Sequence, residues 1–233
     1  MTNPPILTRD TALFLDFDGT LAPLQDDPEA VGLPEGGAEL LEQLSGRLNG
    51  AIALVSGRDV RDLSRRVPIS LWRAGNHGDM MIAPGSTEPE RIEQPPEDLL
   101  TSVHKLLERL PDVRLEHKAR VLALHTRLHP HLQDHLAEGV AELVSARSDY
   151  KMQRGKDIVE LKPTGIDKGA AIRKLLSERE FSGRKPLFLG DDVTDEDGFR
   201  ACLALNGSAI KVGQGETVAP HRLADPDAVW AFL

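Results

Sequence analysis

With 233 residues, 40% of them hydrophobic, the chain can bury a sizeable core in one large domain or two small ones. A net charge of −9 argues against non-specific binding to nucleic acid or to anionic membranes, without excluding a phosphorylated substrate. The single cysteine, Cys202, excludes an intrachain disulfide framework and reads as a reduced core thiol.

Ala12 to Leu15 read as a buried strand of a parallel sheet, running into Asp16-Phe17-Asp18-Gly19-Thr20. Two acids spaced i, i+2 at one strand end repel each other unless a cation or a shared proton compensates. Gly37 to Leu48 carry Leu40, Leu41, Leu44 and Leu48 at helical spacing. A second apolar strand, Ala51 to Val55, ends at Ser56-Gly57-Arg58; a short helix, Asp59 to Arg66, follows. Ser70 to Ala74 read as a third strand, ending at Gly75-Asn76-His77-Gly78. The alternation predicts an α/β fold with a Rossmann-like parallel sheet.

Past the Pro-rich, acidic stretch from Pro84 to Pro96 the pattern changes. Amphipathic helices are expected over Glu97 to Leu110 and His131 to Arg147. Each precedes two short strands: Val113 to Lys118 and Val121 to Arg127, then Tyr150 to Arg154 and Asp157 to Leu161. The α/β pattern then resumes, with helices over Gly169 to Glu180 and Asp195 to Leu205. Its strands are Pro186 to Leu189, ending at Gly190-Asp191-Asp192, and Ser208 to Val212. The expected division is a discontinuous core, 1–79 and 161–233, interrupted by an α+β cap, 80–160.

Asp16/Asp18 with Thr20, then Ser56-Gly57, then Asp191/Asp192 fall at strand ends that open on one edge of a parallel sheet. Carboxylates, hydroxyls and glycines in that company suit Mg²⁺ and phosphate, and clustered thiols for a softer metal are lacking. Lys168 opens a helix whose N–H groups can face a phosphoryl oxygen. Alone, Asp16 and Asp18 also read as a turn, Ser56-Gly57-Arg58 as a helix N-cap, Lys168 as a solvated lysine, and Asp195 to Asp197 as an acidic helix start. In the insert, alternation puts Glu116 with Lys118 on one face, and His125 with Arg127 on one face. That pattern fits either a polar platform for a hydroxylated ligand or a solvated hairpin. Five of the eight histidines lie between His117 and His135, at spacings that match no metal motif.

Taken in order, Asp16-Phe17-Asp18-Gly19-Thr20, Ser56-Gly57-Arg58, Lys168 and Gly190 through Asp197 resemble the four motifs of the haloacid dehalogenase-like phosphatases. The resemblance implies covalent phosphoryl transfer, with Asp16 as nucleophile and Asp18 as acid and base. It implies Mg²⁺ on Asp16, the Asp18 carbonyl and Asp191, supported by Asp192 or Asp195, and phosphate on Thr20, Ser56, Gly57 and Lys168. Further segments resemble the trehalose-6-phosphate phosphatases: Gly75 to Gly78, Glu116 to Lys118, His125 to Arg127, Gly155 to Glu160 and Ile210 to Gly213. In that family a four-stranded cap holds the disaccharide. Carried over by position, Glu116, Lys118, Arg127 and Glu160 contact sugar hydroxyls, and Arg58, His77 and Gly78 line the substrate site. Thr126 departs from the family pattern, where Tyr is common.

The same chemistry on another sugar phosphate, a phosphate-transferring mutase and a phospho-acceptor module are the competing readings. Asp18 argues against the last, since a long-lived acceptor needs no acid or base at +2. Met1 to Asp10 lack the regions of a secretory leader, and no apolar run reaches the ~18 residues of a membrane span. A cytoplasmic monomer is expected.

Overall fold

The computed structural model describes residues 4–89 and 92–233. They fall into two compact units, Met1–Glu90 with Asp167–Leu233, and Arg91–Ile166. Strands are numbered along the whole chain. The first unit takes β1 (Thr11–Leu15), β2 (Ile52–Val55), β3 (Trp72–Gly75) and β4 (Met80–Ile82) from its N-terminal segment. The second unit contributes β5 (Arg114–Lys118), β6 (Val121–His125), β7 (Tyr150–Gly155) and β8 (Ile158–Pro163). β9 (Lys185–Gly190), β10 (Ser208–Val212) and β11 (His221–Leu223) return to the first.

The first sheet runs β11-β10-β9-β1-β2-β3-β4. Every neighbouring pair is parallel except β3 and β4. Every residue of β1 is buried, as a central strand covered on both faces requires. Leu13 pairs with Ile52 on one side and Leu187 on the other. From β1 the chain builds outward to β4, then returns to build the opposite wing from β9 to β11. The strand order therefore reverses between β1 and β9, and a crevice for ligands forms beyond the carboxyl ends at such a point.

The helices of this unit are α1 (Gly37–Arg47), α2 (Val60–Arg66), α5 (Lys168–Leu175), α6 (Glu196–Ala204) and α7 (Pro226–Phe232). Those of the second unit are α3 (Glu97–Leu107) and α4 (Gln133–Ser145). The second sheet is antiparallel in the order β5-β6-β8-β7. Leu122, Leu124, Val159 and Leu161 on one of its faces pack with Leu99, Val103, Leu136 and Val140 of the two helices. The other face carries the polar residues of the alternation.

The boundaries between units differ from the expected 80 and 160. Met80–Ile82 pairs with β3 and so extends the first sheet. The fully buried Arg73 guanidinium fastens the chain on either side of this pair, donating to the carbonyls of Leu71 (3.0 Å), Ala83 (2.9 Å) and Ser86 (2.9 Å). At the far side, β8 runs on to Pro163, paired with Tyr150. The helix expected to reach Glu180 stops at Leu175. The chain turns there to deliver Phe181 into the core, where it stacks on Phe14 with ring centroids 5.3 Å apart.

Candidate active site

The Asp16 amide donates to the Leu189 carbonyl (2.9 Å), carrying the β1–β9 ladder one residue past the strand. The chain then curls tightly, the Phe17 carbonyl accepting from Leu21 and Ala22, both at 3.0 Å. Gly19 sits at φ +76°, and a Cβ there would lie 2.1 Å from Asp191 Oδ2. Glycine is needed both for the backbone conformation and for the approach of the β9 loop.

Asp16 is buried, and its Oδ1 accepts from Lys168 Nζ at 2.6 Å. The same ammonium donates to Asp195 Oδ1 at 2.5 Å. Asp195 is fully buried, and its Oδ2 accepts the backbone amides of Asp191 (3.0 Å) and Asp192 (2.9 Å). Thr20 Oγ1 lies 3.3 Å from Asp16 Oδ2 and 3.4 Å from Asp191 Oδ1. The buried Lys211 amine donates to the Asp191 carbonyl from β10. The ends of β1 and β9 and the first turn of α5 thus bring Asp16, Thr20, Lys168, Asp191 and Asp195 together.

Burial, followed by the charge of Asp195, raises the Asp16 carboxyl well above the ordinary range, with Lys168 opposing. The same two causes push the Asp191 carboxyl up to about 6. For Lys168, burial works against the charge, but Asp16 and Asp195 outweigh it and hold the amine protonated. Carboxylate oxygens of Asp16, Asp191 and Asp195 lie within 4.8 Å of one another. Three crowded carboxylates whose mutual repulsion helps raise Asp16 and Asp191 form an acidic cluster that a divalent cation would stabilise. The donors are all hard oxygens, which fits Mg²⁺. Asp195 spends its oxygens on Lys168 and two amides, so Asp16 and Asp191 keep the oxygens that a cation would take.

Several predicted roles change with this geometry. The amine of Lys168 lies between two carboxylates. The helix N-terminus it opens is capped from within, the Asp167 side chain accepting from Ala170 N at 2.8 Å. Asp195 is no solvated helix start, whereas Asp192 is exposed and caps its own turn through Val193 N (2.7 Å). Ser56 is buried, and its Oγ accepts from Arg58 N at 3.1 Å. Gly57 leaves room for the His77 ring, whose Cε1 would sit 2.8 Å from a Cβ. Asn76, His77 and Gly78 all have positive φ (51°, 58° and 98°), a strained left-handed turn of the kind found at functional sites. Arg58, expected on the substrate, is committed to Asp18. Its Nε and Nη2 donate to the two carboxylate oxygens at 2.7 and 2.5 Å.

In the second unit, Glu116 lies opposite Ala123, and Ala123 opposite Glu160, so both acids share one sheet face with Lys118. His125 Nε2 meets Glu116 at 2.8 Å, and Lys118 Nζ lies 3.8 Å from Glu160. Arg127 is exposed in the turn beyond β6. Thr126, the departure from the family pattern, is fully buried and donates to Gln133 Oε1. Gln133 Nε2 in turn donates to the carbonyls of Gly155 and Ile158, both at 3.1 Å. Among the described residues, the histidines of this stretch join no metal-capable cluster.

Sequence reasoning passed over Asp62, Arg66 and Lys211 as site residues. Arg58, Asp62 and Arg66 repeat at i, i+4, the spacing of paired charges on one helix face. Lys211 is a cation between Ile210 and Val212 in strand β10, which was a signal in itself.

The trehalose-phosphatase family model matches residues 14–226. The chain is 36% identical to the trehalose-6-phosphate phosphatase of Escherichia coli (strain K12) over 239 residues, covering 100% of this chain and 89% of that one. A crystal structure of Aspergillus fumigatus trehalose-6-phosphate phosphatase superposes with a TM-score of 0.70 at 26% identity, covering 99% and 97% of the two chains. A haloacid dehalogenase-like hydrolase from Bacteroides thetaiotaomicron shares the fold, with a TM-score of 0.72 at 15% identity over 94% and 97%. The relatives define a phosphoric monoester hydrolase, built on a fold shared with haloacid dehalogenase-like hydrolases. Within that class the chain belongs to the trehalose-phosphatase family.

Proposed function

We propose that this chain hydrolyses trehalose 6-phosphate to trehalose and phosphate through a phosphoryl group carried on Asp16. The observation that carries this reading is the buried Asp16 carboxylate, held beside Lys168, Thr20 and Asp191 in a chain of the trehalose-phosphatase family. A carboxylate of Asp16 attacks phosphorus as the bond to the sugar oxygen breaks, and Asp18 gives that oxygen its proton. In the second half, Asp18 takes a proton from water, the water oxygen attacks phosphorus, and the bond to Asp16 breaks.

Lys168 uses two of its three N–H groups on Asp16 and Asp195, leaving the third for a phosphoryl oxygen. The Thr20 and Ser56 hydroxyls and the Gly57 amide supply the remaining donors. Mg²⁺ would be held by Asp16, Asp191 and the Asp18 carbonyl, where it neutralises phosphoryl charge. Asp195 keeps Asp191 and Lys168 in place. The polar sheet face with Glu116, Lys118 and Glu160, together with Arg127, supplies the donors and acceptors that a disaccharide needs. Within the first unit, His77 and Gly78 sit beside Gly57 and Ala171, next to the phosphate donors.

Phosphate release from a panel of sugar phosphates, with Mg²⁺ and with EDTA, tests the reading beside Asp16→Asn. Preference for trehalose 6-phosphate, abolished by EDTA and by the substitution, is expected. Turnover of another sugar phosphate with the same two dependences would overturn the substrate assignment and keep the chemistry. Turnover surviving Asp16→Asn would overturn the nucleophile.

A further inference from the structure

Four of the five N–H groups of Arg58 are accounted for within the first unit. Nε and one Nη2 proton clasp the two oxygens of Asp18, Nη1 donates to Asp62 Oδ2 at 2.8 Å, and the second Nη2 proton goes to the Pro28 carbonyl at 3.0 Å. The guanidinium also lies over the Phe17 ring, 5.5 Å from its centroid. Asp62 is fastened in turn, accepting from Arg66 Nε (3.0 Å) and Nη2 (2.9 Å) and from Arg65 (3.2 Å). Arg66 continues the chain to the carbonyls of Glu29 (3.1 Å) and Val31 (2.6 Å).

We infer that Arg58 is a positioning residue for the Asp18 carboxylate in the water-activating half of the reaction, and that Asp62 braces it. The inference rests on the reading of Asp18 given under the proposed function. A two-pronged guanidinium fixes both the position and the plane of a carboxylate, which a lysine ammonium does not do. The clasped form is the one with both oxygens accepting, the form Asp18 has after giving its proton to the departing sugar. Arg58 therefore fits the second half. There the Asp18 carboxylate accepts a proton from water, the water oxygen bonds to phosphorus, and the phosphorus–Asp16 bond releases the Asp16 carboxylate. Almost saturated already, Arg58 has little capacity left for a substrate group.

The test uses p-nitrophenyl phosphate, whose leaving group departs without a proton, beside trehalose 6-phosphate. For Arg58→Lys and Arg58→Met, kcat on the aryl ester should fall by roughly 10²-fold and KM should fall with it, leaving kcat/KM unchanged, as when hydrolysis of the phosphoryl-enzyme becomes limiting. Formation of the phosphoryl-enzyme from the aryl ester stays fast while its hydrolysis slows. A burst of one equivalent of nitrophenolate should therefore appear that the unsubstituted enzyme lacks. Asp62→Asn, which leaves the Arg58–Asp18 contact in place, should show the same signature more weakly. A raised KM without a burst would make Arg58 a substrate ligand and overturn the inference, as would equal losses on both substrates without a burst. Asp18→Asn separates the two levels. If that variant turns over normally, the reading of Asp18 fails. If it is inactive while both Arg58 variants match the parent enzyme, only the positioning role fails.

Discussion

Single residues decide whether this site can be assembled. Gly19→Ala puts a methyl within 2.1 Å of Asp191 Oδ2 at a backbone angle that L-residues avoid. The expected result is a folded protein, checked by circular dichroism, without phosphatase activity; if Asp191 holds Mg²⁺ as proposed, calorimetric titration with the metal should lose its signal as well. Asp62 makes a prediction in pH. Burial alone would raise its carboxyl, but hydrogen bonds from Arg66, Arg58 and Arg65 outweigh that and hold it well below the ordinary value. A depressed folded-state value adds stability above the unfolded value of about 3.9, and the contribution is lost as pH falls below it. Asp62→Asn should therefore cost roughly 1–2 kcal/mol at pH 7, allowing for solvent screening, and the gap should hold at pH 5 and narrow as urea melts move below about pH 4 toward pH 2. Cys202 is fully buried, and burial pushes its thiol up to about 12. It should resist Ellman's reagent in the native state and react fully in denaturant. The positions of Asp16, Thr20, Lys168 and Asp191 were legible because strand ends and a helix start dictate them. The commitment of Arg58 to Asp18 was not, because choice of partner is settled by side-chain geometry across loops.

Among elements, the long buried strands declared themselves through continuous apolar runs, and the amphipathic helices through their periodicity. The short pieces did not. β4 has only three residues at a sheet edge, too few for an alternation to register. α7 is too short for its periodicity to stand out, and its readable signal is the cap, Asp225 as N-cap with Pro226 at the first turn. It matters to the site, since Trp230 Nε1 on this helix donates to the Leu21 carbonyl at 2.8 Å and so steadies the turn after Asp16. The segment after α5 supplies a packing prediction. Phe181 is fully buried, stacked on Phe14 of β1 and edge-on to Trp72 at 6.3 Å. Phe181→Ala should lower unfolding free energy by about 3–5 kcal/mol in urea denaturation, through lost burial and the cavity left behind.

For the whole molecule, the change of pattern between βαβ units and helix–strand–strand units announced two architectures in one chain. It could not place their boundaries to the residue, because β4 and the end of β8 extend each sheet past the point where the composition changes. The interrupted order of the first unit has a further consequence, for biogenesis. β1 needs β9 along one of its two edges, yet residues 185–189 leave the ribosome only after all of 91–166 has been made. A growing chain thus carries an apolar strand with an open edge through most of its synthesis, while the contiguous second unit has every strand partner it needs close by in sequence. Pulsed hydrogen exchange during refolding should protect the amides of β5 to β8 before those of β1, and holdase chaperones should favour the nascent form that ends near residue 166.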